Sequence, residues 1–159
     1  MRQSAAVPIL MRVPPPLLFV AAFLAGVAMQ RVMPLSLHSK TAIDALHLLG
    51  AGMLAIAGLF ALSCVGMFLW ARTTVLPFAT AAKLVTVGPY RCSRNPMYVS
   101  LVLAYLGAAE LLVQAWPLAV LPLPVLVLGT VVIPFEEARL RDVFGEDFEH
   151  YCARVRRWI

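Results

Sequence analysis

Charged residues are scarce in this chain of 159 residues. Lys, Arg, Asp and Glu make up 13% of the sequence and apolar residues 62%, whereas soluble domains carry about 25% charged residues. A soluble domain of this length leaves roughly a third of its unfolded surface in water, so this much apolar surface could not be hidden. The composition therefore excludes an ordinary soluble domain, and its hydrophobicity excludes a disordered chain. We expect a small integral membrane protein that forms one domain, 1–159.

Cysteines and the motifs of soluble enzymes are also scarce. The three cysteines, Cys64, Cys92 and Cys152, are an odd number without metal-ligand spacing, which indicates neither a disulfide framework nor a metal site. The sequence has no GxGxxG, Walker or HExxH motif and no serine nucleophile elbow. Because the basic residues behind the net charge of +5 are scattered, we expect no nucleic-acid partner.

Long stretches without charge predict transmembrane helices, because about 20 apolar residues cross the ~30 Å hydrocarbon core. The stretch 97–135 is about twice that length and breaks at Gln114, Trp116 and Pro117. Polarity, an interfacial aromatic residue and a helix breaker coincide there. The predicted fold is an all-α bundle of four transmembrane helices at about 13–33, 45–71, 97–114 and 117–135.

Small residues form a strip on the second predicted helix. Ala51, Ala55 and Gly58 fall on one face of it, and such a strip favours close approach of another helix. The same strip would permit a dimer, but the sequence does not determine the oligomeric state.

Basic residues are concentrated in two segments. The loop 72–96 carries four basic residues and no acid, the tail 136–159 carries five arginines, and the turn 114–117 carries none. By the positive-inside rule, the loop and the tail are cytoplasmic, and four helices then place both termini in the cytoplasm. One alternative is that residues 1–28 are a cleaved signal peptide.

Two polar pairs lie at the predicted cytoplasmic face. Asn95 and Pro96 form a helix-start signal, and free N–H groups at a helix start favour a ligand carboxylate. Glu136 and Glu137 are adjacent carboxylates that could bind the ammonium group of a ligand. The alternative is structural: a capped helix start, and carboxylates that pair with the arginines three to five residues farther along.

Apolar residues in the tail recur at spacings of three and four from Leu140 to Trp158, with a break near Gly145. This spacing predicts an amphipathic helical segment that restarts after the break. It is compatible with a segment that lies flat on the membrane and with one that covers a site. Glu110 lies within the third predicted helix and is a functional candidate, although the nearby external turn would let it reach water.

Two motifs lie within residues 72–158, which make up over half of the chain. The first is Lys83-Leu84-Val85-Thr86-x-Gly88-Pro89-Tyr90-Arg91-x-x-Arg94-Asn95-Pro96-Met97-Tyr98. The second is Glu136-Glu137-x-x-Leu140-x-x-x-Phe144-Gly145-x-x-Phe148-x-x-Tyr151-x-x-x-Val155-x-Arg157-Trp158. In this order they resemble the isoprenylcysteine carboxyl methyltransferase family and, more broadly, the membrane methyltransferases that include phospholipid N-methyltransferases.

The resemblance implies a methyltransferase that binds S-adenosyl-L-methionine at the cytoplasmic face, between the last transmembrane helices and the C-terminal segment. The cofactor-binding residues that it implies are Ala82, Lys83, Leu84, Val85, Tyr90, Asn95, Pro96, Met97, Tyr98 and Glu136. Methyl transfer from a sulfonium needs mainly alignment and exclusion of water. An ammonium acceptor must also lose a proton, and Glu137 or Tyr98 would then assist as catalytic residues.

The chain departs from the family pattern at two positions. Eukaryotic members carry His where this chain has Asn95, and bacterial relatives often carry Asn. We expect that this chain is an integral protein of a bacterial inner membrane. Members also carry a substrate-binding Arg at the position of Val132. We therefore expect the acceptor to be a lipophilic molecule, isoprenylcysteine-like or a lipid, that enters from the bilayer. The expected partners of the protein are this acceptor and membrane lipids.

Two other functions are compatible with the sequence. The chain could be a non-catalytic scaffold or partner-binding protein that retains the fold, in which case it would bind no cofactor. It could also be a small transporter or channel subunit that uses Glu110.

Overall fold

A computed structural model describes residues 13–35, 42–71 and 84–159. The described residues form helices joined by turns and contain no strand. The α-helices are α1 (Pro15–Val32), α2 (Ile43–Ala71), α3 (Pro96–Leu111), α4 (Ala115–Val120), α5 (Pro122–Val127), α6 (Ile133–Phe144) and α7 (Glu146–Arg154). A 3-10 helix, Gly88–Arg91, lies between α2 and α3. The prediction of an all-helical fold is confirmed for this part of the chain.

Three helices are long and apolar enough to cross a membrane. They are Pro15–Val32, Ile43–Trp70 and Ala115–Phe144, the last formed by α4, α5 and α6 together. The apolar helix α3 has 16 residues, which is about 24 Å at 1.5 Å per residue. The membrane character of the chain is therefore confirmed, whereas the fourth transmembrane helix stays a prediction.

The helix Ala115–Phe144, called the long helix below, contains a wider turn between α5 and α6. Leu128–Val132 is π-helical, and the N–H of Ile133 donates to the carbonyl of Leu128 five residues earlier. The following residue, Pro134, has no N–H to donate. The wider turn thus occurs where the α-helical hydrogen-bond ladder is already interrupted.

The predicted end of the last span at residue 135 is not the end of a helix, and the point where the span leaves the membrane stays a prediction. Apolar residues end there, but the helix continues to Phe144, because Glu, Ala, Arg and Leu are all favourable helix formers. Glu136 and Glu137 are therefore residues of α6 and do not begin a separate tail. Their positions on the helix determine which way each carboxylate points.

The closest helix pair is α2 with α3, which run antiparallel. A Cβ atom on Gly50 would lie 2.6 Å from the backbone nitrogen of Leu111 and 2.7 Å from the carbonyl oxygen of Gly107. Farther along the same face of α2, Ala57 and Cys64 are buried at intervals of seven residues. Small side chains on this face let the two backbones approach.

The predicted contact strip on α2 is wrong in its position. Ala51, Ala55 and Gly58 are exposed, and a Cβ on Gly58 would meet no atom within 4 Å. The sequence of α2 has small residues on several faces, so their spacing alone does not determine which face meets α3.

Helix α1 packs against the beginning of the long helix. A Cβ on Gly26 would lie 2.7 Å from backbone atoms of Pro117, which requires glycine at this position. Phe19 and Phe23 meet the ring of Tyr105 edge-on at centroid distances of 5.9 and 5.1 Å. The Tyr105 hydroxyl donates to the Pro117 carbonyl at 2.9 Å, so α1, α3 and the long helix share one core.

Helix α7 folds back onto the loop before α3. The chain reverses at Gly145, whose φ of +50° is accessible mainly to glycine. Phe148 and Tyr151 on α7 are buried against Val85 and Tyr90 of the loop. These contacts place α7 against the loop before α3, and its position relative to a membrane or a bound ligand stays a prediction.

We predict that Gly50→Ala destabilises the protein, because the new Cβ meets the backbone of α3. Overpacking of this kind costs about 1–3 kcal/mol, which lowers the unfolding temperature by several degrees. Gly52→Ala is the matched control, because a Cβ there meets nothing within 4 Å. Thermal unfolding in detergent measures both variants, and equal unfolding temperatures would contradict the α2–α3 packing.

Candidate functional site

A cavity of about 730 Å³ lies at the end of the bundle where α3 begins. Its walls come from α2, α3, α6 and α7, the loop before α3 and the residues around the start of α1. The cavity extends along α2 from Phe68 to Leu54, about 21 Å at 1.5 Å per residue. It therefore joins the polar end of the bundle to the middle of an apolar helix.

The cavity collects the residues singled out in the two motifs. All eight of the implied cofactor-binding residues that the structure describes line it: Leu84, Val85, Tyr90, Asn95, Pro96, Met97, Tyr98 and Glu136. Ala82 and Lys83 lie outside the described residues. The motifs are about forty residues apart in sequence, and folding places them around one space. Their roles in binding stay predictions.

Tyr98 and Glu136 connect the two motifs directly. The Tyr98 hydroxyl donates a hydrogen bond of 2.6 Å to Oε1 of Glu136. A hydrogen bond to a carboxylate is shorter and stronger than a neutral one, so it fixes the carboxylate against the first turn of α3. A carboxylate has about four acceptor positions, and Glu136 therefore keeps capacity for a donor in the cavity.

Glu137 also borders the cavity, but it is 4% exposed and its hydrogen-bond partners differ from those of Glu136. Arg157 donates to both of its oxygens, from Nε at 3.1 Å and from Nη2 at 2.6 Å. Arg94 Nη2 lies 3.4 Å from Oε1 of the same carboxylate. This fork geometry is the strong form of an arginine–carboxylate pair, and it engages both carboxylate oxygens.

The expectation that Glu137 meets the next arginines along its helix is corrected by these contacts. Its ion-pair partners Arg94 and Arg157 are distant in sequence, and Arg141 instead pairs with Glu149 at 2.6 Å. The register of α6 turns Glu137 toward the loop before α3, which sequence spacing does not show. A catalytic role for Glu137 or Tyr98 stays a prediction.

The helix start at Asn95 is confirmed, but its side chain does not cap the helix. The Asn95 side-chain amide donates to the backbone carbonyl of Arg157 at 3.0 Å. The buried hydroxyl of Ser93 donates to the same carbonyl at 3.3 Å and accepts from the backbone N–H of Asn95 at 3.0 Å. Asn95 thus lines the cavity and also holds the C-terminal end of the chain.

Two buried tyrosines, Tyr90 in the loop before α3 and Tyr151 on α7, form an aromatic wall of the cavity. The Tyr151 hydroxyl donates to the backbone carbonyl of Tyr90 at 2.6 Å, and Phe68 meets the Tyr90 ring edge-on at 5.6 Å. Burial raises the pKa of both Tyr90 and Tyr151, so both phenols are neutral at physiological pH. This wall offers aromatic faces and no phenolate charge.

The sequence analysis missed the contribution of the first two helices. The apolar part of the cavity wall is formed by Pro14, Pro15, Pro16, Leu54, Ala57, Gly58, Ala61, Leu101 and Ala104. Apolar residues facing a cavity and apolar residues facing lipid give the same sequence pattern. The aromatic and polar wall residues Phe68, Arg94, Phe148 and Tyr151 were also not assigned to a site, although most belong to the two motifs.

Two other candidate residues lie away from the cavity. Val132 is 6% exposed and packs in the core with Phe19 and Tyr105 rather than in the cavity wall. Glu110 lies near the opposite end of α3, so it takes no part in this site.

The comparison with known families gives one match. A family model described as phospholipid methyltransferase matches residues 45–147, about two thirds of the chain. The matched region runs from α2 through α6 into the start of α7. No curated protein and no solved structure matches the chain.

We predict that Tyr151→Phe loosens the docking of α7, because it leaves the buried carbonyl of Tyr90 without its donor. The loss is about 1–3 kcal/mol. Thermal unfolding in detergent and limited proteolysis of the C-terminal segment measure it. His150→Ala, at an exposed neighbour, should change neither result. Unchanged stability of Tyr151→Phe would show that this hydrogen bond does not hold α7.

Proposed function

We propose, from the premise that this chain belongs to the phospholipid methyltransferase family, that it transfers the methyl group of S-adenosylmethionine to a lipophilic acceptor at the cytoplasmic face of a membrane. The observation that carries the proposal is the cavity in which both motifs meet. It offers carboxylate, aromatic and apolar groups within one connected space.

The residues around the polar end of the cavity fit the parts of this methyl donor. Its ammonium group is suited to Glu136, which Tyr98 holds in place. Its carboxylate is suited to the positive end of the α3 helix dipole, at the turn that begins with Pro96. The faces of Tyr90 and Phe68 suit the adenine ring or the sulfonium, which aromatic rings attract. When bound, the donor supplies an electrophilic methyl group.

The apolar end of the cavity suits the acceptor. Ala57, Gly58 and Ala61 on α2 and Ala104 on α3 leave room for a hydrocarbon group. These residues belong to apolar helices, so a lipophilic molecule could reach the site from the bilayer without crossing water. Position 132 holds a valine that lies in the core. This chain therefore has no cation at that position with which to recognise the acceptor.

The protein's contribution to the reaction is alignment. Methyl transfer from a sulfonium to a nucleophile is an in-line displacement that neutralises charge, so it depends mainly on positioning and exclusion of water. The cavity supplies both, since its polar end fixes the donor and its apolar end aims the acceptor toward it. For an acceptor that arrives protonated, proton removal by Tyr98 or Glu137 would require breaking the hydrogen bonds that these groups form with Glu136 and Arg157.

The proposed orientation follows from charge. The cavity end of the bundle carries the exposed arginines Arg91, Arg154 and Arg156 as well as the ion-paired Arg94 and Arg157. By the positive-inside rule this end faces the cytoplasm, where the water-soluble methyl donor is found. In this orientation α3 is the fourth transmembrane helix.

We predict that Glu136→Gln weakens binding of S-adenosylmethionine by about tenfold to a hundredfold. A hydrogen bond to a charged group contributes about 1.5–3 kcal/mol, and 1.4 kcal/mol corresponds to a factor of ten. Isothermal titration calorimetry with the detergent-purified protein measures the dissociation constant. Glu146→Gln, an exposed carboxylate on α7, is the matched control and should bind as the wild type does.

The same titration separates the proposed function from its alternatives. A non-catalytic scaffold would bind neither S-adenosylmethionine nor S-adenosylhomocysteine, so absence of binding by the wild-type protein refutes the proposal. Wild-type binding that Glu136→Gln leaves unchanged would refute the assigned site. Incubation of membranes with methyl-labelled donor, followed by mass analysis of labelled lipids, identifies the acceptor.

We predict that Gly58→Leu blocks the acceptor end of the cavity. The new side chain has space, since a Cβ there meets nothing within 4 Å, but it points into the cavity. The acceptor KM should rise severalfold while the donor dissociation constant stays unchanged. Gly66→Leu, at an exposed position of the same helix with equal space, is the control. Equal acceptor kinetics in both variants would place the acceptor elsewhere.

A further inference from the structure

The last residues of the chain form a C-terminal strap, residues 155–158, that lies across the polar end of the bundle. Its backbone carbonyls accept hydrogen bonds from the loop before α3. The backbone N–H of Arg94 donates to the Arg156 carbonyl at 2.9 Å, and Asn95 and Ser93 donate to the Arg157 carbonyl. The strap therefore holds the loop at the point where α3 begins.

The strap is attached to two other parts of the molecule. The Arg157 side chain forms its two hydrogen bonds with Glu137 on α6, and the hydrogen bond to Glu137 raises the pKa of the Arg157 guanidinium. The next residue, Trp158, packs against the core cluster that contains Phe19 and Tyr105. Three independent contacts fix these few residues, which makes the strap a cross-link.

The two elements that the strap joins also carry the donor-binding pair. Tyr98 is in the first turn of α3 and Glu136 is in α6, next to Glu137. The backbones of α3 and α6 make few close approaches, because the cavity lies between them. Apolar side chains join the two helices in the shared core, and at the polar end they are joined by the Tyr98–Glu136 hydrogen bond and, beside it, the bridge through Arg157 and Glu137.

From this arrangement we infer that Arg157 is a positioning residue for the methyl-donor site. It lies outside the cavity wall and acts through Glu137, which fixes the rotation of α6 and so aims Glu136 at Tyr98. The inference rests on the proposed function. It assigns to the end of the chain a specific task, which is to hold the donor-binding carboxylate while leaving the acceptor end of the cavity untouched.

The test is a double-mutant cycle on the Arg157–Glu137 pair, in detergent-purified full-length protein. Arg157→Gln and Glu137→Gln should each weaken S-adenosylmethionine binding by about tenfold, as loss of an outer partner of a binding group typically does. The double variant should be no weaker than Glu137→Gln alone, because Glu137→Gln already breaks the pair with Arg157 as well as the contact with Arg94. In turnover assays the donor KM should rise while the acceptor KM stays unchanged.

Arg156→Gln is the matched control, because this neighbouring side chain is exposed and its backbone contact to Arg94 is retained. It should bind the donor as the wild type does. Arg157→Lys keeps the charge but not the fork of donors and should give an intermediate loss. Since it disturbs the fold least, it also decides the question if Arg157→Gln does not yield folded protein.

The outcomes separate the two proposals. If the wild-type protein binds no donor, the proposed function fails. If the wild type binds but the Arg157 variants bind equally well, or lose thermal stability while the folded fraction binds normally, the ion pair is merely structural and the positioning role is refuted. Additive losses in the cycle, or a rise in acceptor KM equal to that in donor KM, would refute it as well.

Discussion

The buried carboxylate of Glu137 is the constraint on which the polar end of the molecule depends. A charge removed from water is strongly unfavourable unless it is paired and hydrogen-bonded, and here Arg157 and Arg94 supply the partners. These arginines come from the chain end and from the loop before α3. Satisfying one carboxylate thus brings together three segments that are far apart in sequence, and the cavity forms where they meet.

This arrangement explains how so apolar a chain builds a site with two chemical ends. Along the long helix, Leu128 and Ile133 lie in the apolar core of the bundle. Glu136 and Glu137, which make the polar contacts, follow within a few turns. Antiparallel packing of α2 against α3 through small residues leaves an apolar channel beside the polar groups. The cavity therefore has a polar end and an apolar end in one connected space, which the proposed transfer from a water-soluble donor to a lipid-soluble acceptor requires.

Much of the helical architecture could be predicted, because it follows from local patterns. Charge-free stretches, the proline at the start of α3 and the glycine after α6 mark helices and their ends independently of the rest of the fold. Predictions of which residues pack against another helix were less accurate, because they depend on the tertiary structure. The strip Ala51, Ala55 and Gly58 does not meet α3, because several faces of α2 carry small residues and α3 packs on another of them. Helix α6 extends beyond the apolar stretch to Phe144, because the polar residues that follow are also favourable helix formers.

The sequence by itself determined that this chain is an all-helical membrane protein and that two motifs carry its polar chemistry, since hydropathy and motif spacing are properties of the chain alone. Only the tertiary structure decided that Asn95 holds the chain end, that Glu137 faces Arg157 while Glu136 faces Tyr98, and that α1 and α2 complete the cavity. The physical reason is that adjacent residues on a helix point about 100° apart. Which of two neighbouring carboxylates meets a tyrosine and which meets an arginine depends on helix rotation, and packing against distant segments sets that rotation.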